Sequence, residues 1–349
     1  MSDLLLLKLK EIEAKAEPAP LEKFPPIEYE RKKIENLIRL SIGESLKRNF
    51  EEIVKIISPK FLLETWQDGS LAKIGGEAIC LLAKDTTLSF ASDFRKMVIK
   101  IAHFRTRDKK ENLLRFQRSY GIQAGLHKKI GRGIPDVYET GDFFIIQELV
   151  PGIDLLEFAK KNSHEELYKT FFDLAKTLAQ VHDAGIVHRD IKPQNILVGK
   201  YPVFLDWGYA SEWEKKSNIT PEGYAIGTNL FMHEDIKNDG VKASPKHDIH
   251  SFCSVLWCAF VGKIPSEEIE YQVELLKFNE LPKWAEIYQN GISGLYGNDI
   301  NAIALELEKM AKPDDKKIEN KCQECPAVNI LKEIAESLKR ISPSIKSNP

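Results

Sequence analysis

The segment from Ile186 to Leu197 reads IVHRDIKPQNIL. Within six residues it places a carboxylate at Asp190, an amine at Lys192 and a carboxamide at Asn195. A His-Arg-Asp triplet alone arises easily by chance. The complete string, followed by an apolar run, is unlikely to arise by chance, so it indicates a segment with a chemical function.

A second short motif follows at Val203–Gly208, which reads VFLDWG. It has the pattern of a short apolar strand that ends in an aspartate, an aromatic residue and a glycine. Asp206 lies sixteen residues after Asp190. This spacing fits a strand–turn–strand hairpin that carries both carboxylates to one cleft.

Together the two motifs resemble those of eukaryotic-type Ser/Thr protein kinases. The resemblance implies that Asp190 orients a substrate hydroxyl and accepts its proton, and that Lys192 offsets charge on the transferred phosphoryl group. It also implies Mg²⁺ ligands at Asn195 and Asp206, with Trp207 where the family has phenylalanine. The expected reaction is in-line transfer of the γ-phosphoryl group of ATP to a Ser or Thr hydroxyl of a protein.

The resemblance covers about residues 67–315 and implies an α+β, two-lobed kinase fold. Residues 67–150 would form a small lobe on an antiparallel sheet, and residues 151–315 a mainly helical lobe, with ATP between them. Residues 1–66 are predicted to be an N-terminal extension, a flexible lead followed by an amphipathic helix. Residues 316–349 are predicted to be a C-terminal helical tail. Either segment could dock on the kinase domain or on a regulatory partner.

The composition argues against several other classes of protein. The chain has 349 residues and a net charge of -2, which gives no sign of a nucleic-acid or anionic-membrane partner. No run of about twenty apolar residues predicts a transmembrane helix, and the N-terminus lacks the basic region of a signal peptide. Five sparse cysteines fit reduced thiols, so we expect a cytoplasmic protein. Cys322 and Cys325 have zinc or redox spacing without a second ligand pair.

In the small lobe, the run Leu71–Ala83 predicts two strands joined by a turn at Gly75 and Gly76. In the family such a turn lies over the ATP phosphates. The β-branched run that follows predicts a strand with one lysine on its buried side, which is unusual unless the charge is paired. The resemblance makes Lys100 the contact of the α- and β-phosphates, with Lys96 as the alternative.

A helix predicted over roughly residues 109–130 should carry the acid that pairs with Lys100 in the family. Counting back from the next strand places Gln123 at that position, and the nearest acid, Glu111, falls at the helix start. Either Lys100 pairs with Glu111 in an unusual register, or Gln123 offers a neutral hydrogen bond instead. This departure motivates an alternative function, a pseudokinase scaffold or nucleotide-sensing module.

A small-molecule kinase is a further alternative. Against it, Lys192 with the proline after it, and the segment Gly227-Thr228, favour a protein substrate.

The stretch Tyr138–Gly152 predicts a β-hairpin that continues into a hinge. The resemblance implies that the backbone of Glu148 and Val150 binds adenine, with Gln147 at the back of the pocket. Asp248 starts an apolar helix that resembles the central helix of the family's large lobe. The resemblance implies that Asp248 holds the backbone of the segment around Asp190 from beneath, and a buried aspartate must be hydrogen-bonded.

Residues 206–234 correspond to the family's activation segment. Thr228, together with Lys192, points to serine and threonine rather than tyrosine as acceptors. Glu234 should pair with a basic residue late in the domain, Lys316 or Lys317.

Arg189, directly before the catalytic aspartate, implies control by phosphorylation. A phosphate in the activation segment could neutralise and order this arginine. Ser217 and Thr220 are the candidate acceptors.

Overall fold

The computed structural model describes residues 61–70, 72–74, 78–85, 96–102, 110–213, 229–233, 235, 242–267 and 269–311. The chain divides into two compact units between Val150 and Pro151. The first unit is built on an antiparallel sheet and the second is mostly helical, so the predicted α+β class is confirmed. Within these ranges, no helix combines the length and apolar character needed to cross a membrane.

Six strands and one helix make up the described part of the first unit. In chain order they are β1 (Phe61–Glu64), β2 (Ala72–Ile74), β3 (Ala78–Asp85), β4 (Lys96–Ala102), α1 (Lys110–Ile130), β5 (Val137–Thr140) and β6 (Phe144–Glu148). The sheet order is β1-β3-β4-β6-β5, and β2 pairs with the part of β3 that β1 does not occupy. The sheet therefore begins at Phe61. The sequence predicts a later start for this lobe, at residue 67.

The two faces of this sheet pack differently. Alternate residues of a strand share a face, and one face carries a large apolar cluster made by Phe61, Leu63, Ile79, Leu81, Ala83, Met97, Ile99, Ile101 and Ile146. A smaller cluster of Ala102 and Ile145 with Phe116 and Tyr120 joins strands β4 and β6 to α1. Lys100 has the same strand parity as Ala102, so it lies on the face that α1 covers.

Most of the local predictions for the first unit agree with the observed elements. β2 and β3 are the two antiparallel strands predicted around the glycine turn, while Gly75 and Gly76 lie outside the described residues. Helix α1 begins within one residue of the predicted start and ends at the predicted residue, Ile130. The amphipathic helix predicted for the N-terminal extension also lies outside the described part of the chain.

The second unit interleaves short strands with helices. Its elements are β7 (Ile153–Asp154), α2 (Leu155–Lys161), α3 (His164–Asp183), β8 (Ile186–Val187), β9 (Ile196–Val198), β10 (Pro202–Phe204), β11 (Ser211–Glu212), α4 (Pro245–Val261), α5 (Ile269–Leu275), α6 (Lys283–Ile292) and α7 (Ile300–Ala311). The strands form two small sheets, β10-β9-β7 and β11-β8.

Local sequence signals account for the ends of α3 and α4. Ser163 Oγ accepts a hydrogen bond from the backbone nitrogen of Glu166, and the Glu166 carboxylate accepts one from the backbone nitrogen of Ser163, each at 3.3 Å. This reciprocal pair is a capping box. Helix α4 is buried on nearly all sides and ends at Gly262, whose φ of 79° is left-handed, as glycine allows.

Two glycines bring backbone segments into close contact beside the β7–β9 pairing. A Cβ atom on Gly152 would lie 2.8 Å from the carbonyl oxygen of Val198, and a Cβ atom on Gly199 would overlap the carbonyl oxygen of Pro151. Both positions therefore need a residue without a side chain.

Candidate active site

Asp248 is fully buried near the start of α4 and organises the segment before Asp190. Its Oδ2 accepts hydrogen bonds from the backbone nitrogen of His188 at 2.7 Å and from Nε2 of His182 at 3.0 Å. Its Oδ1 accepts one from the backbone nitrogen of Arg189 at 2.8 Å. Burial raises the pKa of Asp248, but His182, His188 and the Arg189 hydrogen bond outweigh it, so the pKa lies below its ordinary value. A charged Asp248 therefore anchors the loop backbone.

The backbone is left-handed at two residues that are not glycine. Arg189 has a φ of 69°, and Asp206 has a φ of 58°. Such conformations cost on the order of 1–3 kcal/mol each and persist only where the surroundings enforce them. Arg189 directly precedes Asp190, and Asp206 is itself a residue for which the sequence predicts a chemical role.

Asp190, Lys192 and Asn195 form one hydrogen-bonded group. Lys192 Nζ and Asn195 Nδ2 each donate to Asp190 Oδ2 at 2.8 Å. Asn195 Nδ2 also donates to the carbonyl oxygen of Asp190 at 2.9 Å. Burial raises the pKa of Asp190, and the charge of Asp206 raises it further. Lys192 lowers the same pKa, but the net shift is upward. A carboxylate with a raised pKa is a stronger proton acceptor than an exposed aspartate.

A hairpin sets Asp206 close to Asn195. Strands β9 and β10 are antiparallel, with Ile196 opposite Phe204, as the spacing of the two motifs predicted. The backbone nitrogen of Leu205 then donates to the carbonyl oxygen of Asn195 at 2.7 Å. The charge of Asp206 also raises the pKa of Asp190, as expected for two carboxyl groups that lie near each other.

His188 and Trp207 hold the chain on both sides of Asp206. The backbone nitrogen of Asp190 donates to His188 Nδ1 at 3.3 Å, so the ring proton lies on Nε2, which donates to the carbonyl oxygen of Leu205 at 3.0 Å. Burial lowers the pKa of His188 and keeps its ring neutral. The buried Trp207 donates from Nε1 to the carbonyl oxygen of Phe204 at 3.1 Å, and its ring lies 4.5 Å from the His188 ring.

Lys100 occupies the centre of β4 in the first unit. It lies opposite Cys80 of β3 and Ile145 of β6. Its Nζ is 5.9 Å from the centroid of the Tyr120 ring on α1. The alternative, Lys96, is 54% exposed and lies 3.5 Å from Glu64 of β1, so the geometry favours Lys100 as the partly buried lysine.

Gln123, which the sequence placed at the acid position of α1, binds elsewhere. Its Nε2 donates to the carbonyl oxygen of Pro135 at 3.0 Å and to Gln147 Oε1 at 3.3 Å. Glu111 lies exposed in the first turn of α1. The ring of Tyr120 on α1 lies near Lys100, and the sequence had not marked Tyr120 as a site residue. It shares a helical face with Phe116 and Gln123, so the periodicity marked it only as core.

Glu148 and Val150 lie at the end of the first unit. The backbone nitrogen of Glu148 donates to the carbonyl oxygen of Asp136 at 2.9 Å, and its carboxylate accepts from the backbone nitrogen of Asp136 at 3.2 Å. This pair fixes where β6 stops. Several other predicted site residues lie outside the described residues, namely Gly75, Gly76, Ser217, Thr220, Thr228, Glu234, Lys316 and Lys317.

A second polar cluster lies at the start of α4. Among the described residues, His233, Asp235 and His247 place ligand-type atoms within 4.8 Å of one another. However, Nδ1 of His233 accepts from the backbone nitrogen of Asp235 at 3.1 Å, and Nδ1 of His247 accepts from that of Ser244 at 3.0 Å. A neutral imidazole that accepts at Nδ1 carries its proton on Nε2, and Asp235 is ion-paired with Lys246. The arrangement therefore fits a hydrogen-bonded helix start better than a metal site.

Comparison with known proteins identifies the class to which this fold and loop belong. The protein kinase domain family model matches residues 88–338. The chain belongs to the protein kinase family.

Several relatives are serine/threonine-protein kinases of bacteria. A probable serine/threonine-protein kinase of Clostridium acetobutylicum is 30% identical over 198 residues, which cover 55% of this chain and 29% of that protein. PrkC of Bacillus subtilis has the same identity and coverage. PknB of Mycobacterium leprae is 25% identical over 222 residues, 60% of this chain and 34% of the relative. The matched region thus spans about a third of each of these relatives.

Proposed function

We propose that this chain is an ATP- and Mg²⁺-dependent protein kinase that phosphorylates Ser or Thr hydroxyls of a protein substrate. The observation that carries the proposal is the group in which Lys192 and Asn195 meet on one oxygen of Asp190. The serine/threonine-protein kinases among its relatives support the same assignment.

Asp190 would act on the acceptor hydroxyl. As the acceptor oxygen bonds to the γ-phosphorus, the bond from that phosphorus to the ADP oxygen breaks, and the hydroxyl proton passes to the Asp190 carboxylate. The raised pKa of Asp190 favours this transfer. The Lys192 ammonium, held at 2.8 Å from the same carboxylate, would offset charge on the moving phosphoryl group.

Asn195 and Asp206 would hold Mg²⁺. Both supply oxygen atoms, which this cation prefers. Because Asn195 Nδ2 donates to Asp190, its Oδ1 faces away from Asp190 and is the end available to a cation. When bound, Mg²⁺ would neutralise charge on the nucleotide phosphates.

In the first unit, Lys100 is our candidate for the α- and β-phosphates. The backbone of Glu148 and Val150 would bind the adenine ring, and Gly75 with Gly76 would cover the phosphates. The position of Lys100 on the α1 side of β4 supports its part in this assignment.

Phosphoryl transfer by the Asp190→Asn variant tests the proposal. With radiolabelled ATP and Mg²⁺, we expect transfer to fall about 10²- to 10⁴-fold, because the proton acceptor is lost. ATP affinity should stay within about twofold, since Asp190 acts on the acceptor. Asp183→Asn, the same change at an exposed position of α3, should retain full transfer.

Undiminished transfer by Asp190→Asn would overturn the assignment of the base. A wild-type protein that binds ATP and transfers no label to any protein would instead favour a nucleotide-sensing scaffold. Lys192→Met gives a second variant should Asp190→Asn fail to fold, and thermal unfolding of each variant separates lost chemistry from lost structure.

A further inference from the structure

We propose that the side-chain amide of Gln147 on β6 donates a hydrogen bond to N7 of the adenine ring of ATP, and that Gln123 on α1 orients this amide. The inference rests on the proposed function, because it takes the backbone of Glu148 and Val150 as the adenine site. Gln147 is then a residue that touches the nucleotide. Gln123 is a positioning residue, which acts through Gln147.

A proline carbonyl sets the direction of both amides. The carbonyl oxygen of Pro135 can only accept a hydrogen bond, so the end of the Gln123 amide that faces it at 3.0 Å is the nitrogen, Nε2. This Nε2 carries a second proton and lies 3.3 Å from Oε1 of Gln147. Gln147 therefore turns its oxygen toward Gln123, and its own N–H donors point away from α1.

The burial of both glutamines keeps this orientation fixed. Gln123 is 1% exposed and Gln147 is 4% exposed. Reversing either amide would bring two donors or two acceptors face to face. Oε1 of Gln123 has no hydrogen-bond partner within the described part of the chain, and an unpaired buried oxygen lowers stability. An apolar side chain would avoid that loss, so stability alone does not explain the amide pair.

The sheet register places Gln147 on the same face as Lys100. Gln147 of β6 is opposite Val98 of β4, and Ile145 of β6 is opposite Lys100. Directly opposite residues of neighbouring strands share a face, as do alternate residues along one strand. Lys100 is our candidate for the phosphates of ATP. One face of the sheet can therefore contact both the base and the phosphates of a single nucleotide.

The chemistry of adenine fits this placement. Its N6 amino group is a donor, and N1 and N7 are acceptors on either side of that group. The backbone of Val150 and Glu148 would bind the edge that carries N1 and N6. Gln147 directly precedes Glu148 on β6, so its amide comes next along the ring, beside N7. A glutamine amide suits this part of adenine because it offers a donor and an acceptor side by side.

The analogue 7-deaza-ATP, which has a C–H group in place of N7, tests the contact directly. Calorimetric titration of the full chain with ATP and with 7-deaza-ATP, each with Mg²⁺, gives two dissociation constants. In wild type we expect the analogue to bind about 3- to 10-fold more weakly, which is the effect of one hydrogen bond. Equal affinity of wild type for the two nucleotides would overturn the inference.

Three methionine variants assign the preference to the two glutamines. Gln147→Met removes the donor, so the ratio of the two dissociation constants should fall to about 1. Gln123→Met removes the group that orients Gln147, so the ratio should fall below about 2. Gln117→Met is the matched control and should keep the wild-type ratio. Gln117 Nε2 also ties α1 to a backbone carbonyl, that of Asp142 at 2.8 Å.

The ratio distinguishes binding from folding. Both nucleotides bind the same variant, so a general loss of stability affects the two dissociation constants alike. Gln147→Leu takes the place of Gln147→Met should that variant fail to fold. A full wild-type ratio in the Gln147 variant would refute the contact with N7, and a full ratio in Gln123→Met would refute the positioning role.

Measuring binding keeps this result distinct from the proposed function. A wild type that prefers ATP to 7-deaza-ATP but transfers no phosphate would contradict the kinase proposal alone. A wild type that transfers phosphate and binds both nucleotides equally would contradict the Gln147 contact alone. A wild type that binds neither nucleotide would contradict both.

Discussion

Trp207 and Asp206 illustrate how a strained residue is supported by its neighbour. Asp206 adopts a left-handed backbone with a φ of 58°. Directly after it, Trp207 is fully buried and its Nε1 donates to the carbonyl oxygen of Phe204. The indole therefore links the chain before Asp206 to the chain after it, and a phenylalanine at this position would have no donor for that bond.

The Trp207→Phe variant should be less stable and need more Mg²⁺. The lost hydrogen bond and the smaller ring should lower the free energy of unfolding by about 1–2 kcal/mol. Because Asp206 is our proposed metal ligand, the Mg²⁺ concentration for half-maximal transfer should rise several-fold. Denaturant unfolding and a Mg²⁺ titration of the activity measure the two effects.

Trp213→Phe is the matched control for this variant. Trp213 Nε1 donates to the carbonyl oxygen of His182 at 3.2 Å, in the same kind of bond but away from Asp206. It should lower stability by a similar amount and leave the Mg²⁺ dependence unchanged. Equal Mg²⁺ dependence in both variants would show that Trp207 has no special part in placing Asp206.

At the scale of one element, the start of α4 depends on a histidine. His247 is buried and its Nδ1 accepts from the backbone nitrogen of Ser244, at the residue that precedes the helix. Burial, with the nearby charges of His233 and Lys246, lowers the pKa of His247 from 6.5 to about 4. The helix start is therefore built for a neutral imidazole.

This pKa predicts a loss of stability in acid. Above pH 6.5 both the folded and the unfolded chain keep His247 neutral. As the pH falls toward 4, the unfolded chain binds a proton there that the folded chain does not, so the free energy of unfolding decreases. After allowance for solvent screening, we expect about 2 kcal/mol from this residue.

The His247→Gln variant isolates that contribution. Glutamine offers an acceptor oxygen to the Ser244 backbone and does not titrate. Between pH 6.5 and 4, the free energy of unfolding of this variant should therefore decline less than that of wild type. Urea unfolding at each pH measures it. His164→Gln, at an exposed position in the first turn of α3, should decline as wild type does. Parallel pH curves for wild type and His247→Gln would contradict the prediction.

Elements defined by local sequence were predictable, and contacts between distant elements were not. The capping box at Ser163 and the β9–β10 hairpin depend on residues a few positions apart, so their patterns are visible in the sequence. Strand β1 has four residues, Phe61–Glu64, too few for a clear alternation before the glycine hairpin. The contacts of Tyr120 and Gln123 depend on how α1 packs against the sheet. Helical periodicity predicts that these residues are buried, but it does not identify the residues that they contact.

At the scale of the whole molecule, the proposed control acts through Arg189. This residue precedes Asp190, our proposed base, and its backbone nitrogen donates to Asp248 at 2.8 Å. We propose that a phosphate on Ser217 or Thr220 orders the activation segment through the Arg189 cation.

Replacing both acceptors tests this control. Ser217→Ala with Thr220→Ala should lower transfer to a protein substrate about tenfold, and phosphatase treatment of wild type should have the same effect. Mass spectrometry locates the phosphate. In Arg189→Asn, which tolerates a left-handed backbone and removes the cation, phosphatase should change little. A wild type that is equally active with and without phosphate on these residues would refute the control.

The two glycines beside β7 and β9 set a limit on how this chain can diverge. Each added methyl group would meet main-chain atoms, at Val198 for Gly152 and at Pro151 for Gly199. Main chain is present whatever the surrounding side chains are, so no compensating substitution nearby can make room. Homologues that keep the β7–β9 pairing should therefore retain glycine at both positions. The residues around these glycines can vary.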